Sequence, residues 1–382
     1  MTGSADRPPV RIVHIGLGAF HRAHQVWFTQ HGDPEWGVAA FSGRSARLAE
    51  TLTAQDCRYT LVERGPEFDA HHRMSSLVAA YGADRQDVLD RLVAGPEVAV
   101  VTLTITEAGY ADPAAPRRLV QALDARRRSG AGPIAVVPCD NVLANGARAR
   151  SALLDQADGD LAGWIDEHVS FVDTVSDRIT PATTADDVAR LAALGVEDRA
   201  PVVTEPFAEW VLAGEFPAGR PAWERAGAVF TDDIRPFERR KLRLLNGAHL
   251  LLALAGLARG HGTVADAMTD PVLTEHVEQY WAVASRGVPE ADEYVRQLRT
   301  RFTNGRIRHA LAQIALDAEN KLRERVVPLV RDLLADGADP GPALRVVDAW
   351  LVHTGQNTDS LDRLAPGWAA DPRIHHDGRC RS

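Results

Sequence analysis

The run from Glu238 to His249, E-R-R-K-L-R-L-L-N-G-A-H, continues into L-L-L-A-L-A-G-L-A and constrains the fold more than any other stretch. Leu242, Leu244, Leu245, Leu250, Leu251, Leu252 and Leu254 spread around the whole circumference of a helix, so most of that helix must be buried and a domain built around it. At about 100° per residue, Glu238, Lys241, Asn246 and His249 fall near 60°, 0°, 140° and 80°, within one arc of roughly 140°. Left unpaired, such groups would cost on the order of several kcal/mol. One reading is a satisfied core network. The other is a site in which desolvation lowers the lysine pKa from about 10.4 toward the ~7 to 8 of a general base able to take a proton from an alcohol.

At 382 residues the chain exceeds one ordinary core, which predicts two domains, 1–235 and 236–382. The net charge of −9, with no basic tract, argues against a nucleic-acid partner. The N-terminus lacks an apolar signal core, and no window is expected to supply the roughly 18 apolar residues of a membrane span, so the expectation is a cytoplasmic protein without a membrane partner. Cys57, Cys139 and Cys380 form no C-x-x-C and predict neither a disulfide framework nor a metal site.

Val10 to Gly18, V-R-I-V-H-I-G-L-G, is a short strand running into glycines, and A-F-H-R-A-H-Q-V-W-F-T-Q follows with helical spacing. Strand, G-x-G turn and helix open a dinucleotide-binding unit, with Gly16 and Gly18 letting a pyrophosphate approach the backbone. His21 stands where a third glycine would be. Trp36 to Phe41 reads as the second strand, whose end selects the adenosine ribose. An acid there favours NAD, but Arg44 and Arg47 follow with no acid before Glu50, which leaves NADP open, the other reading being a pair of solvated surface arginines.

Tyr59 to Glu63 and His71 to Ala80 read as an inserted pair of short strands. Val98 to Thr106 and Ile134 to Pro138 read as buried core strands, leading into E-A-G-Y and C-D-N and placing Glu107 and Asn141 where ligands of open α/β sheets sit, although each residue alone reads equally as a turn or cap. Asn145 to Asp158 and Asp160 to His168 read as helices, and Val202 to Trp210 as one extended run. T-D-D-I-R-P at Thr231 to Pro236 is a boundary turn, and helical spacing runs on to about Ala335. The fold class is therefore α/β with a mainly helical C-terminal domain.

I-G-L-G-A-F-H-R-A-H-Q, T-I-T-E-A-G-Y, C-D-N, D-R-I-T-P-A-T-T, T-E-P-F-x-E-W and K-x-x-x-x-N-x-x-H occur in this order between about Arg11 and Trp350. In these motifs the chain resembles the mannitol dehydrogenase family of polyol-specific dehydrogenases, nearer its fructuronate reductase (mannonate oxidoreductase) branch. The resemblance implies a Rossmann-type N-terminal domain and metal-independent hydride transfer at a secondary alcohol of a polyol or sugar acid. NAD is the implied cofactor, with NADP open. It implies that Lys241 is the general acid/base, that Asn246 and Asn141 form an oxyanion hole, that His249 positions substrate and that Glu238 gates the lysine. It implies cofactor contacts from Gly16, Gly18, Phe20, Arg44 and Asp177, and substrate contacts from Gln313 and Lys321, with Glu319 adding a negative charge nearby. The polar sequence ending R-I-H-H-D-G-R-C-R-S leaves the family's pattern and reads as a disordered tail. Two alternatives stand beside this reading. One is mannitol-1-phosphate 5-dehydrogenase activity, with Arg301, Arg306, Arg308 and Arg323 as phosphate ligands; the other is a non-catalytic sugar sensor. The sequence leaves oligomeric state open.

Overall fold

The computed structural model describes residues 7–105 and 112–374. Glu107, Tyr110, Cys380 and nearly all of the polar tail lie outside them. The chain divides into two compact units, Met1–Ile234 and Arg235–Ser382.

In the first unit, β1 (Val10–Ile15), β2 (Gly37–Phe41), β5 (Leu77–Tyr81), β6 (Val100–Leu103), β7 (Ile134–Pro138) and β8 (Val169–Phe171) form one sheet in the order β5-β2-β1-β6-β7-β8. Every neighbouring pair is parallel. Numbered along the sheet's own strands, this is the doubly wound order 3-2-1-4-5-6. Strands covered on both faces are favoured by apolar residues at successive positions, as in Gly37–Phe41 and Ile134–Pro138. Ile12, Ala40, Val100 and Val137 belong to the core on one face with Phe28, Trp210 and Trp223. Val13, Phe41, Val101 and Val136 belong to the core on the other, with Leu89, Leu123 and Ile165.

Two expectations need correction. His71 to Ala80 is not one strand. It is β4 (Asp69–Met74), which pairs antiparallel with β3 (Tyr59–Arg64), and then β5, which leaves the hairpin for the edge of the main sheet. The polar, half-exposed β4 and the apolar β5 differ in burial as that division requires. Val202 to Trp210 also splits: β10 (Val202–Thr204) joins β3 in parallel, whereas β11 (Glu209–Ala213) pairs antiparallel with β9 (Asp173–Asp177) and parallel with β12 (Val229–Phe230).

The named elements of the second unit are all helices among its described residues, continuing past Ala335 through Gly341–Thr354 to short turns ending near Ile374, with a single antiparallel bridge between Thr263 and Ala310. Its axis is the continuous run Arg235–Ala258, packed against Pro271–Ala284, Leu311–Ala315 and Gly341–Thr354. That run is long and apolar enough to cross a bilayer, contrary to the sequence expectation, but 67% of the apolar window is buried inside the protein, as in a core helix. Cys57 and Cys139 are free, buried thiols.

Candidate functional site

The glycine turn is fixed by sterics. Gly16 has φ +117°, and a Cβ there would stand 2.2 Å from the Thr104 carbonyl oxygen, so no other residue fits. The Thr104 hydroxyl donates to the Gly16 carbonyl (2.8 Å), and the Gly16 and Leu17 amides donate to the Phe41 carbonyl at the end of β2 (both 2.9 Å). Gly18 is different: a Cβ on it would meet only the Gly16 carbonyl, at 3.6 Å. The fold does not need that glycine for its own packing, which fits a backbone kept bare for a ligand's close approach. Phe20, half-buried, follows in the first helical turn and stacks on His24 at 5.0 Å.

His21, in the place of the third glycine, lies flat on His14 of β1 with ring centroids 3.3 Å apart. Thr104 has given its hydroxyl proton to Gly16, so it accepts from His14 Nε2 (3.0 Å), and His14 Nδ1 accepts from Thr102 (2.8 Å). Burial holds both rings neutral: His14 is lowered to about 3, and His21 falls well below the ordinary histidine value through burial and then the neighbouring His14. A flat imidazole pair thus does the close helix–strand packing that glycine does elsewhere. Among the described residues no group of three or more His, Cys, Asp or Glu could hold a metal ion.

Several motif residues serve the scaffold. Arg178 donates to the Ala23 and Glu205 carbonyls and to the Glu63 carboxylate (2.5 Å), and Glu205 in turn accepts from the Ile179 amide (2.5 Å). D-R-I-T-P and T-E-P are thereby clamped together, with Asp177 buried at the end of β9. In C-D-N-V-L-A-N the second asparagine, Asn145, is fully buried; its amide donates to Thr174 O (3.0 Å) and Asp140 O (3.2 Å) and accepts from Thr174 N (2.9 Å). That leaves Asn141, which is exposed beyond the carboxyl end of β7. Arg44 is exposed just beyond β2.

In the helical unit, the expected face geometry needs a correction. Lys241–Asn246 is a π-helical turn, flanked by α-helix at Arg235–Arg240 and Gly247–Ala258. An i→i+5 turn holds more than about four residues, so each residue rotates by less than roughly 90°, and Lys241 and Asn246, about 140° apart on an α-helix, come within about 90° here. Such a turn loosens the carbonyl ladder, and two donors from Pro271–Ala284 take up the slack. The Tyr280 hydroxyl donates to Arg243 O (3.0 Å) and the Trp281 indole to Leu244 O (2.8 Å). Gly247 makes room for this, since a Cβ would lie 1.8 Å from the Tyr280 oxygen. Lys241 and Glu238 are half-buried rather than buried, whereas Asn246 and His249 are buried.

His249 stacks on Phe302 (4.3 Å) and meets His309 edge to face (4.9 Å). Burial, then His309 and Arg301, push His249 well below the ordinary value; burial and Arg301 lower His309 to about 4. Both rings are neutral at pH 7, and His249 Nε2 and His309 Nδ1 have no hydrogen-bond partner among the described residues. His309 escaped the sequence reading because nothing in the R-I-R-H-A spacing marks it as facing His249. Gln313 is exposed. The Lys321 ammonium donates to the Ile314 (2.9 Å) and Leu316 (2.6 Å) carbonyls, and Glu319 is engaged by Arg323 (2.5 Å) and Arg363 (3.5 Å), so its added charge is neutralised locally.

The family models agree with this division. The mannitol dehydrogenase Rossmann domain matches residues 10–225 and the mannitol dehydrogenase C-terminal domain residues 233–374, past the Trp350 at which the motif resemblance ends. The D-mannonate oxidoreductase of Escherichia coli (strain K12) is 35% identical over 411 residues, covering 96% of this chain and 85% of that protein. The mannitol 2-dehydrogenase of Cereibacter sphaeroides is 32% identical, covering 97% and 88%. The solved Pseudomonas fluorescens mannitol 2-dehydrogenase, a ternary complex with NAD and D-mannitol, superposes with a TM-score of 0.84 at 31% identity, covering 97% of this chain and 86% of that one. Both units are matched by the two family models, and the chain belongs to the mannitol dehydrogenase family of oxidoreductases.

Proposed function

We propose that this protein interconverts a secondary alcohol and its ketone on a sugar acid or polyol with NAD(P), D-mannonate and D-fructuronate being the favoured pair and D-mannitol and D-fructose the next. The observation that carries the reading is the π turn, which draws an amine and an amide onto one side of a helix and is built at the expense of regular hydrogen bonding. In the direction of reduction the Lys241 ammonium gives its proton to the carbonyl oxygen; in oxidation the neutral amine takes it back. Asn246 donates an amide N–H to the developing alkoxide, and Asn141 is assigned the same task. Glu238, three residues before the lysine, relays protons to water, and neutral His249 offers Nε2 to a substrate hydroxyl. A bound nicotinamide dinucleotide supplies or takes the hydride. The bare Gly18 and the sterically forced Gly16 are the residues that would cradle its pyrophosphate.

The mannonate oxidoreductase relative and the Q-I-A-x-D-x-x-x-K-L spelling support the sugar-acid branch. The phosphate alternative loses one of its cations, because Arg323 is spent on Glu319 and Asn320. The test follows absorbance at 340 nm with fructuronate, tagaturonate, fructose and fructose 6-phosphate against NADH and NADPH. Fructuronate should be reduced with the highest kcat/KM. Turnover of fructose 6-phosphate alone would assign the phosphorylated substrate, and no turnover of any of the four would favour the sensor.

A further inference from the structure

A cavity of about 580 Å³ opens beside the glycine turn, at the carboxyl end of β2, with Leu17 on one wall and Ser42 and Arg44 on the next. This is where a doubly wound sheet receives the adenosine ribose of a dinucleotide. Its lining includes Arg44, Arg47 and Arg199 and, among the described residues, no aspartate or glutamate. The cavity is cationic in a chain whose net charge is −9.

None of the three guanidinium groups has an ion-pair or hydrogen-bond partner among the described residues, and all three residues are exposed at the rim. Two nearby acids are committed elsewhere. Asp187 is paired with Arg64 (3.0 Å), and Asp198 accepts from Gln55 (2.7 Å), Thr60 N (2.5 Å) and Ala200 N (2.8 Å). Glu50, the first acid after β2, is absent from the lining. Ser42 is 3% exposed and its hydroxyl has no hydrogen-bond partner among the described residues. An unsatisfied buried hydroxyl beside three unpaired cations is costly for a surface with no ligand and apt for one that receives an anion.

The backbone carrying Arg199 is fixed in place. Buried Arg22 spans from Gly18 O (3.2 Å) to Ala200 O (2.5 Å), tying the segment to the glycine turn, while the Arg199 amide donates to Gln55 (3.2 Å). Arg199 is some 150 residues from Arg44 in sequence, and only the fold brings it to the same rim.

We propose that this cavity is a subsite for the 2′-phosphate of NADP(H), with Arg44, Arg47 and Arg199 holding the phosphomonoester dianion and Ser42 donating its hydroxyl to it. The chain then accepts NADPH beside NADH. The proposal rests on the reading of the first unit as dinucleotide-binding, and is independent of which sugar is turned over. Guanidinium groups suit it because their fixed forks match phosphate oxygens in pairs.

The test is calorimetric titration of the full chain with adenosine 5′-monophosphate and with adenosine 2′,5′-bisphosphate. The bisphosphate should bind at least about tenfold tighter, and R44A/R47A/R199A should bring the ratio of the two affinities to within about twofold of one. R199A alone, at an exposed position, should give an intermediate ratio and guards against misfolding of the triple variant. As a second readout, the KM for NADPH should rise at least about tenfold more than that for NADH in the triple variant. Equal affinity of the two nucleotides for the wild type, or an undiminished ratio in the triple variant, overturns the proposal and leaves the dinucleotide reading standing. Binding of neither nucleotide overturns both. Tight bisphosphate binding without turnover of any sugar sustains the proposal and sinks the catalytic reading.

Discussion

The two turns that matter most are built on opposite principles. The glycine turn in the first unit is over-determined: Gly16 has a conformation and a steric environment that admit no side chain, and hydrogen bonds from Thr104 and to Phe41 hold it from both sides. The π turn in the second unit departs from the helix on either side of it and receives hydrogen bonds from two aromatic donors of another helix, Tyr280 and Trp281. A turn that must present bare backbone can be rigid by sterics. A turn that must aim side chains gives up regular hydrogen bonds and needs outside support. The first should fail as a fold when disturbed, and the second as a catalyst.

The largest effect expected is at Gly16. Gly16→Ala places a methyl group 2.2 Å from a backbone carbonyl at positive φ, and should cost more than about 4 kcal/mol, enough to lose the folded first unit. Gly18→Ala, with 3.6 Å to its nearest neighbour, should fold normally and lose dinucleotide affinity instead. Thermal unfolding and cofactor titration of the pair check the contrast. Similar melting temperatures for the two variants would show that Thr104 can move aside.

Next comes the base. Lys241→Ala should keep dinucleotide binding and lose at least about 10²-fold in turnover, with part of the rate returned by a small primary amine. Asn246→Ala should lose a comparable ~10² to 10³ without amine rescue. Near wild-type turnover in K241A would make the lysine structural.

These contrasts follow what was legible in the sequence. Apolar runs such as Val98–Thr106 and the strand–glycine opening carry their own structure, so the parallel sheet and the turn could be read directly. The π turn could not, since a wheel drawn at one angle per residue assumes the regularity that K-L-R-L-L-N breaks, and its supports stand nearly forty residues away. The His14–His21 stack, the transfer of β5 to the main sheet and the arrival of Arg199 beside Arg44 are likewise products of tertiary contact.

Acid should affect both units. A histidine with a lowered folded pKa binds its proton first in the unfolded chain, near pH 6.5, so its stabilisation is complete above that value and is lost as pH falls toward the folded value of about 3 for His14 or about 4 for His309. Each such histidine should remove about 2 kcal/mol by pH 5. Denaturant midpoints at pH 7 and pH 5 measure it, and H14Q should flatten part of the slope. Equal midpoints would mean that these rings titrate in the folded protein as they do in the unfolded chain.

The smallest expected change in stability is the most informative about the π turn. Tyr280→Phe deletes one hydroxyl, leaves the ring in its buried place and strips Arg243 O of a donor, for a loss of about 1 kcal/mol. A merely structural tyrosine would do no more than that. If its hydrogen bond holds the π turn open, relaxation toward α-helix rotates Lys241 and Asn246 apart, and kcat should fall by about tenfold while the affinity for dinucleotide, held by the other unit, stays the same. Trp281→Phe removes the second support, and the two changes should be non-additive in kcat because they act on one turn. A Tyr280→Phe enzyme with reduced stability and unchanged kcat would show that the backbone keeps its π geometry unaided, and would leave Gly247, whose missing Cβ makes room for that hydroxyl, without a catalytic reason.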